Sequence, residues 1–200
     1  MDIRNPRRIA LTAAVAALFL ALQSQAQSLG SETQRDTNQQ QRIEHGLRTG
    51  GLDTREAARL EQGEARIDRI EQRDLRDGSL SAADRAQIER AQDRESLAIQ
   101  RQSHDAQTGD PDSRSSQRMQ HDVGRDIRQE RRIHEGVVDG SLTNREAGRL
   151  EGREARADHE QARAGRDGRV GWWEQRRIDR TQDRDSARIW RQKHDRAHRR

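Results

Sequence analysis

Gly50-Gly-Leu-Asp-Thr-Arg-Glu-Ala-Ala-Arg-Leu-Glu61 returns later in the chain as Gly140-Ser-Leu-Thr-Asn-Arg-Glu-Ala-Gly-Arg-Leu-Glu151. In both copies a leucine follows the glycine by two residues, then comes a short polar side chain and, three residues on, a glutamate. Asp53-x-x-Glu56 and Thr143-x-x-Glu146 read as capping boxes. The first side chain accepts from a free backbone N–H, and the glutamate reaches back to the cap. The glycine suits the end of the preceding helix. The stretch therefore predicts a helix, a tight turn and a second helix, twice over.

Working outward, the same offset aligns Arg42–Asp105 with Arg132–Asp195 without a gap, and about 30 of the 64 pairs are identical. That is an internal duplication. Each copy reads as three helices. A lead-in helix ends near Gly46 or Gly136. A second runs from about Arg55 to Arg76, or Arg145 to Arg166. A third runs from about Ala82 to His104, or Trp172 to His194. Ser81-x-x-Asp84 is a weaker capping box, and Asp77-Gly78 and Asp167-Gly168 are turn signals. The fold class is all-α: two repeated three-helix modules, over 42–105 and 118–200, the second ending in a basic tail. A Gln-, Ser- and Thr-rich segment at 27–41 is expected to be disordered, and 106–117, with Gly109, Pro111 and Ser113, to be the linker.

Apolar residues recur at helical spacing, at Ala57, Leu60, Ile67 and Ile70, then Ile88, Ala91, Ala98 and Ile99. This stripe is narrow and predicts a thin core. Leu, Ile, Val and Phe fall below the roughly 20% expected of an ordered charged chain. In the second copy Trp172, Trp173 and Trp190 replace Ala82, Ala83 and Gln100. They are expected to form a core cluster, with a surface patch as the alternative.

Charged residues make up 37% of the chain, with a formal net charge of +4. Acids and arginines interleave along the sequence, which reads as a solvated helix surface laced with ion pairs. No basic stripe marks a specific nucleic-acid binder. The exception is the tail Arg191–Arg200. There is no cysteine, so disulfides, thiol catalysis and cysteine zinc sites are excluded.

The first residues carry Arg4, Arg7 and Arg8, then an apolar run from Ile9 to Leu22, then Ser24-Gln25-Ala26. This is the pattern of a signal peptide over 1–26, cleaved after Ala26. The run is shorter than the roughly 20 apolar residues of a transmembrane helix. The expected location is periplasmic or secreted.

Four turns match the second half of an EF-hand calcium loop, which has glycine at position 6, an apolar residue at 8 and an acid at 12. They are His45–Glu56, Arg73–Asp84, Glu135–Glu146 and Arg163–Glu174. The first half departs from the pattern, with His45, Arg73 or Arg163 at position 1. Glu135, Asp139 and Glu146 form the most acidic of the four and are the candidate calcium ligands. His194 and His198 share a helix face at i, i+4, a spacing that suits copper or zinc. Helix capping is the alternative role for the histidines. No cofactor is otherwise indicated. No nucleophile elbow, phosphate loop or dinucleotide fingerprint appears, so the reading is that of a non-enzyme.

Gly140-Ser-Leu-Thr-Asn-Arg-Glu146, the Asp-Gly turns and the terminal Lys193-His194-Asp195 together resemble a group of uncharacterised exported Gram-negative proteins. These are Arg/Glu-rich helical proteins with duplicated, degenerate EF-hand-like hairpins, and the resemblance implies no particular activity. The expected function is a non-enzymatic exported protein working through its helix surfaces on a protein partner, with envelope stress as its setting. Metal binding or buffering is the second expectation. Binding of an anionic polymer or membrane surface through the basic tail is the third.

Overall fold

Each of the four turns places its glycine in the left-handed region, with φ of +79°, +88°, +77° and +86° at Gly50, Gly78, Gly140 and Gly168. A side chain there would be strained. Two residues on, Leu52, Leu80, Leu142 and Val170 are buried. In a computed structural model, which describes residues 29–195, these turns connect six helices. They are α1 (29–49), α2 (Thr54–Asp74), α3 (Ala82–Gln102), α4 (Arg114–Asp139), α5 (Asn144–Ala164) and α6 (Trp172–Lys193). A 3-10 turn, Gly165–Asp167, extends α5. Full capping boxes start α2, α3 and α5, so Ser81 and Asp84 form one as complete as the other two. At α6 only the return bond exists, from the Gly171 N–H to Glu174 (2.7 Å).

The signal peptide with Ala26, and His198 in the tail, lie outside the described residues. The segment expected to be disordered at 27–41 is helical from residue 29, and Leu29, Thr33 and Asp36 are buried. The reason is tertiary. The duplication extends upstream, where Arg35-Asp36 and Gln39 match Arg125-Asp126 and Gln129. Thus α1 fills the place that α4 fills in the second copy. The linker is irregular over 103–113, and α4 already begins at Arg114. Gly109 donates to the Gly50 carbonyl (2.9 Å), and it abuts Leu52 so closely that no side chain would fit.

The two modules pack as one bundle about a local twofold axis. Its centre is the antiparallel pair α2 and α5, the most extensive contact among helices α2 to α6. Gly148 lies under Leu75 and Gly152 under Gln72. At the opposite end Gly165 lies against Ala58 and Met119. The small and large residues have changed places between the copies: Leu75 faces Gly148 where Gly165 faces Ala58. Contacts within each copy repeat as well. Gln92 donates to Asp36 (2.7 Å) as Gln182 does to Asp126 (2.8 Å), and Arg35 pairs with Asp93 as Arg125 does with Asp183.

Apolar side chains collect at the two ends of the bundle. One cluster holds Ile43, Leu47, Leu52, Leu60, Ile99 and Val170. The other holds Leu75, Leu80, Ile88, Ile133, Leu142 and Ile189. The expected stripe is buried at Ala57, Leu60, Ile67, Ile88, Ala91 and Ile99, but only partly at Ile70 and Ala98. The tryptophans do not form a core cluster. Trp172, Trp173 and Trp190 are 48%, 68% and 60% exposed. They sit at opposite ends of α6, with the first two stacked at 3.7 Å and the third stacked on His194. Their copies in module 1 are alanine and glutamine, so the backbone there never enclosed a large ring.

Candidate metal centre

The helical period that buries Leu60 also buries Glu61, Glu64, Asp68 and Glu71 on α2. On α5 it buries Glu151, Glu154, Asp158 and Gln161. Asp36 and Gln40 from α1, and Asp126 and Glu130 from α4, face the same space between the two apolar ends. Among the described residues sixteen aspartates and glutamates are buried, and no arginine, lysine or histidine is buried with them. Two of the sixteen, Glu56 and Glu146, are satisfied as helix caps. On the central helices the charges that interleave in sequence are therefore sorted in space, acids inward and arginines outward, while pairs such as Arg48–Glu44 and Arg177–Glu160 keep the expected mixed surface at the flanking helices.

Burial raises the pKa of these acids. Asp126 rises to about 6, because burial outweighs hydrogen bonds from Gln161 and Gln182. Asp36 rises to about 7, against burial-opposing bonds from Gln92 and the nearby Arg35. Glu95 rises to about 7, for burial again. Glu61, Glu64, Asp68, Glu71, Glu130, Glu151, Glu154 and Asp158 go well above the ordinary carboxylate range, by burial first and then by mutual repulsion. Removing an unpaired charge from water costs several kcal/mol per ion, while a whole domain is stable by only about 5–15 kcal/mol. This layer cannot be ionised alone. It must hold protons or cations.

Two three-carboxylate groups lie within it, each with oxygens within 4.8 Å of one another. The first is Glu61, Asp126 and Asp158. The second is Asp68, Glu130 and Glu151. Every member is at most 3% exposed. Amides edge the first group. Gln40 donates to Glu61 (3.2 Å) and Gln161 to Asp126 (2.6 Å), while the carbonyl oxygen of each amide stays buried and unpartnered. Beside the second group Asp36 and Glu71 are close enough to share a proton, and both Glu71 oxygens are otherwise unpartnered. Both oxygens of Glu151 and one each of Asp68, Glu130, Glu61 and Asp158 are unpartnered as well. Such sets offer oxygen only, which suits hard cations such as calcium, magnesium or manganese, and ill suits copper or zinc. A third set, His121, Asp122 and Asp179, lies at the surface. There Gln175 bridges the two acids, and burial raises Asp122 to about 8.

Among the described residues the structure does not bring Glu135, Asp139 and Glu146 together as one ligand group. Glu135 pairs with Lys193 (3.4 Å). Asp139 accepts from the Ser141 N–H (2.8 Å). Glu146 accepts from the N–H and hydroxyl of Thr143, so the position-12 carboxylate caps a helix. His194 hydrogen-bonds the Trp190 carbonyl (2.7 Å), and His104 makes the equivalent contact with Gln100 (2.9 Å). Met119 is buried among apolar residues while its neighbour His121 is exposed. A readable signal did mark the buried acids. Glu61, Glu64 and Asp68 are identical in the second copy and in helical phase with Ala57 and Leu60.

The chain matches no family model, and neither the curated proteins nor the solved structures contain a significant match.

Proposed function

We propose that this protein binds hard metal cations between its two modules and acts as a non-enzymatic metal buffer. One observation carries the reading: among the described residues, sixteen buried acids with no buried base. Each three-carboxylate group would neutralise most or all of the charge of a divalent or trivalent ion, and the adjacent amide or carboxylate oxygens would complete its shell. Binding is favoured over catalysis because the groups are sealed by packed helices, which leaves a substrate no approach. The signal-peptide pattern over 1–26 supports a periplasmic or secreted location for the buffer.

The test is thermal unfolding, followed by circular dichroism, of chain stripped with chelator and then given calcium, magnesium, manganese, lanthanum, zinc or copper. An ion present at a hundred times its Kd adds about 2.7 kcal/mol, which is roughly 5–10 °C in a chain of this size. Calcium, manganese or lanthanum should produce such a shift with about two ions bound per chain. No shift with any hard cation would mean that the layer is held by protons alone, and the reading would fall.

The exposed tryptophans favour a second reading, a protein partner docking on α6, with envelope stress as its setting. Pull-down by the chain but not by a variant with all three tryptophans changed to alanine would support it.

A further inference from the structure

The charge sorting that fills the core with acids also strips them from the outer face of the central helix pair. In α2 and α5 no aspartate or glutamate is exposed, whereas the outward positions are mainly arginine. At one end of the seam Arg55 and Arg59 of α2 meet Arg163 and Arg166 at the end of α5 around a single cleft, with His159 beside them. The local twofold generates a second quartet at the other end, Arg145 and Arg149 with Arg73 and Arg76, all exposed. Arg66 and Arg156, a further twofold pair, lie between. Among the described residues Arg73 is the one quartet arginine that forms an ion pair, with Asp74, and Arg55 donates to the Asp167 carbonyl (3.1 Å). At 1.5 Å per residue the quartets are about 25 Å apart.

We propose that this arginine face binds the phosphate backbone of duplex nucleic acid, without reading its sequence. Unpaired guanidinium groups match phosphate oxygens in a two-pronged fashion. A span of about 25 Å on B-form duplex carries on the order of fifteen phosphates. The twofold of the face matches the dyad that relates the two strands. The side chains that other anionic partners require are missing. The large exposed apolar residues, Leu97, Val138 and the three tryptophans, all lie outside α2 and α5. Single strands are held by stacking on aromatic rings, and membrane surfaces are held by inserted apolar side chains as well as by charge.

The experiment is fluorescence anisotropy of a labelled duplex of about thirty base pairs with the whole chain, over a range of salt, in chelator and in calcium. Binding should weaken steeply with salt. Changing Arg55, Arg59, Arg163 and Arg166 to Gln should weaken it more than tenfold and reduce the salt slope by about 3–4, since each lost phosphate contact removes about 0.9. A control changing Arg90, Arg94, Arg180 and Arg184, exposed on α3 and α6, to Gln should cost less than about twofold. Unchanged circular dichroism verifies the fold of both variants. Equal losses in the two variants, no binding by the parent chain at 50 mM salt, or tighter binding to phosphatidylglycerol vesicles than to duplex would each overturn the proposal. Binding in chelator separates this face from the metal centre.

Discussion

The two ends of the acidic layer are the same cage built twice, and they differ in charge. Around Glu61, Asp126 and Asp158 stand two amides, Gln40 and Gln161. The twofold equivalents around Asp68, Glu151 and Asp36 are Glu130 and Glu71, both carboxylates. One end therefore offers three carboxyl groups and the other five. A partial offset lies on the flanks, where Asp185 pairs with Arg153 (3.4 Å) but its counterpart Glu95 lies over Gly63, with no such partner. Duplication conserved the scaffold of the cage, and divergence at two positions set how much positive charge each end needs.

If the ends differ in this way, cations should bind in two steps, the five-carboxylate end first. The largest effect is expected from Glu71→Gln with Glu130→Gln, which gives that end the composition of the other. Calorimetric titration should show the tight step weakened by at least about tenfold, or about 1.4 kcal/mol, with the number of ions unchanged. Gln40→Glu with Gln161→Glu should do the reverse.

The next effect concerns protons. Folding raises Asp126 to about 6, Asp36 to about 7 and Asp122 to about 8, from 3.8 for an exposed aspartate, with burial as the main cause in each. The native state thus keeps protons that the unfolded chain has released. Stability present below about pH 4 is lost as pH rises through the folded values. In chelator the unfolding midpoint should fall steadily from pH 5 to pH 8, and a hard cation should restore it. A midpoint rising over that range would contradict the buried acids. Asp36 and Asp126 also sharpen the comparison. Asp126 has two amide donors, while Asp36 has one and a carboxylate neighbour. Glu71→Gln should bring Asp36 down toward Asp126 in an NMR titration of the carboxyl carbons.

Smaller effects are expected in the packing between the halves. A Cβ on Gly148 would lie 2.6 Å from that of Leu75, so Gly148→Ala should destabilise by about 1–3 kcal/mol. Leu75→Ala in the same chain should recover none of the loss, because the Cβ that the new methyl meets remains. Trp173→Ala should change stability least, by no more than about 0.5 kcal/mol, since the ring is 68% exposed.

Helix number, turns and caps were legible in the sequence because they depend on neighbours in the chain: Gly50 with Leu52, Asp53 with Glu56. What those helices bury was only half legible. Ile43, Leu60 and Ile88 announce a buried face by chemistry, but Glu61, Glu64 and Asp68 on that same face look like solvent residues. Only their phase and their identity with Glu151, Glu154 and Asp158 separate them from surface acids. The first half of α1 was hidden for the same reason, since Asp36, Gln39 and Gln40 read as a polar coil. The EF-hand-like spacing at Glu135–Glu146 misled in an instructive way. Glycine, leucine and glutamate at those intervals serve a capped turn as well as they serve an ion, and here Glu146 bonds the N–H and hydroxyl of Thr143 as a cap.

Each three-carboxylate group takes one member from α2, in the first module, and two from α4 and α5, in the second. An ion in either group would therefore tie together segments some sixty to a hundred residues apart in the chain. It would act as a cross-link, shrinking the freedom of the open chain as a disulfide does. In a protein with no cysteine, that gives a staple indifferent to redox state, fastened by ion supply and released by acid.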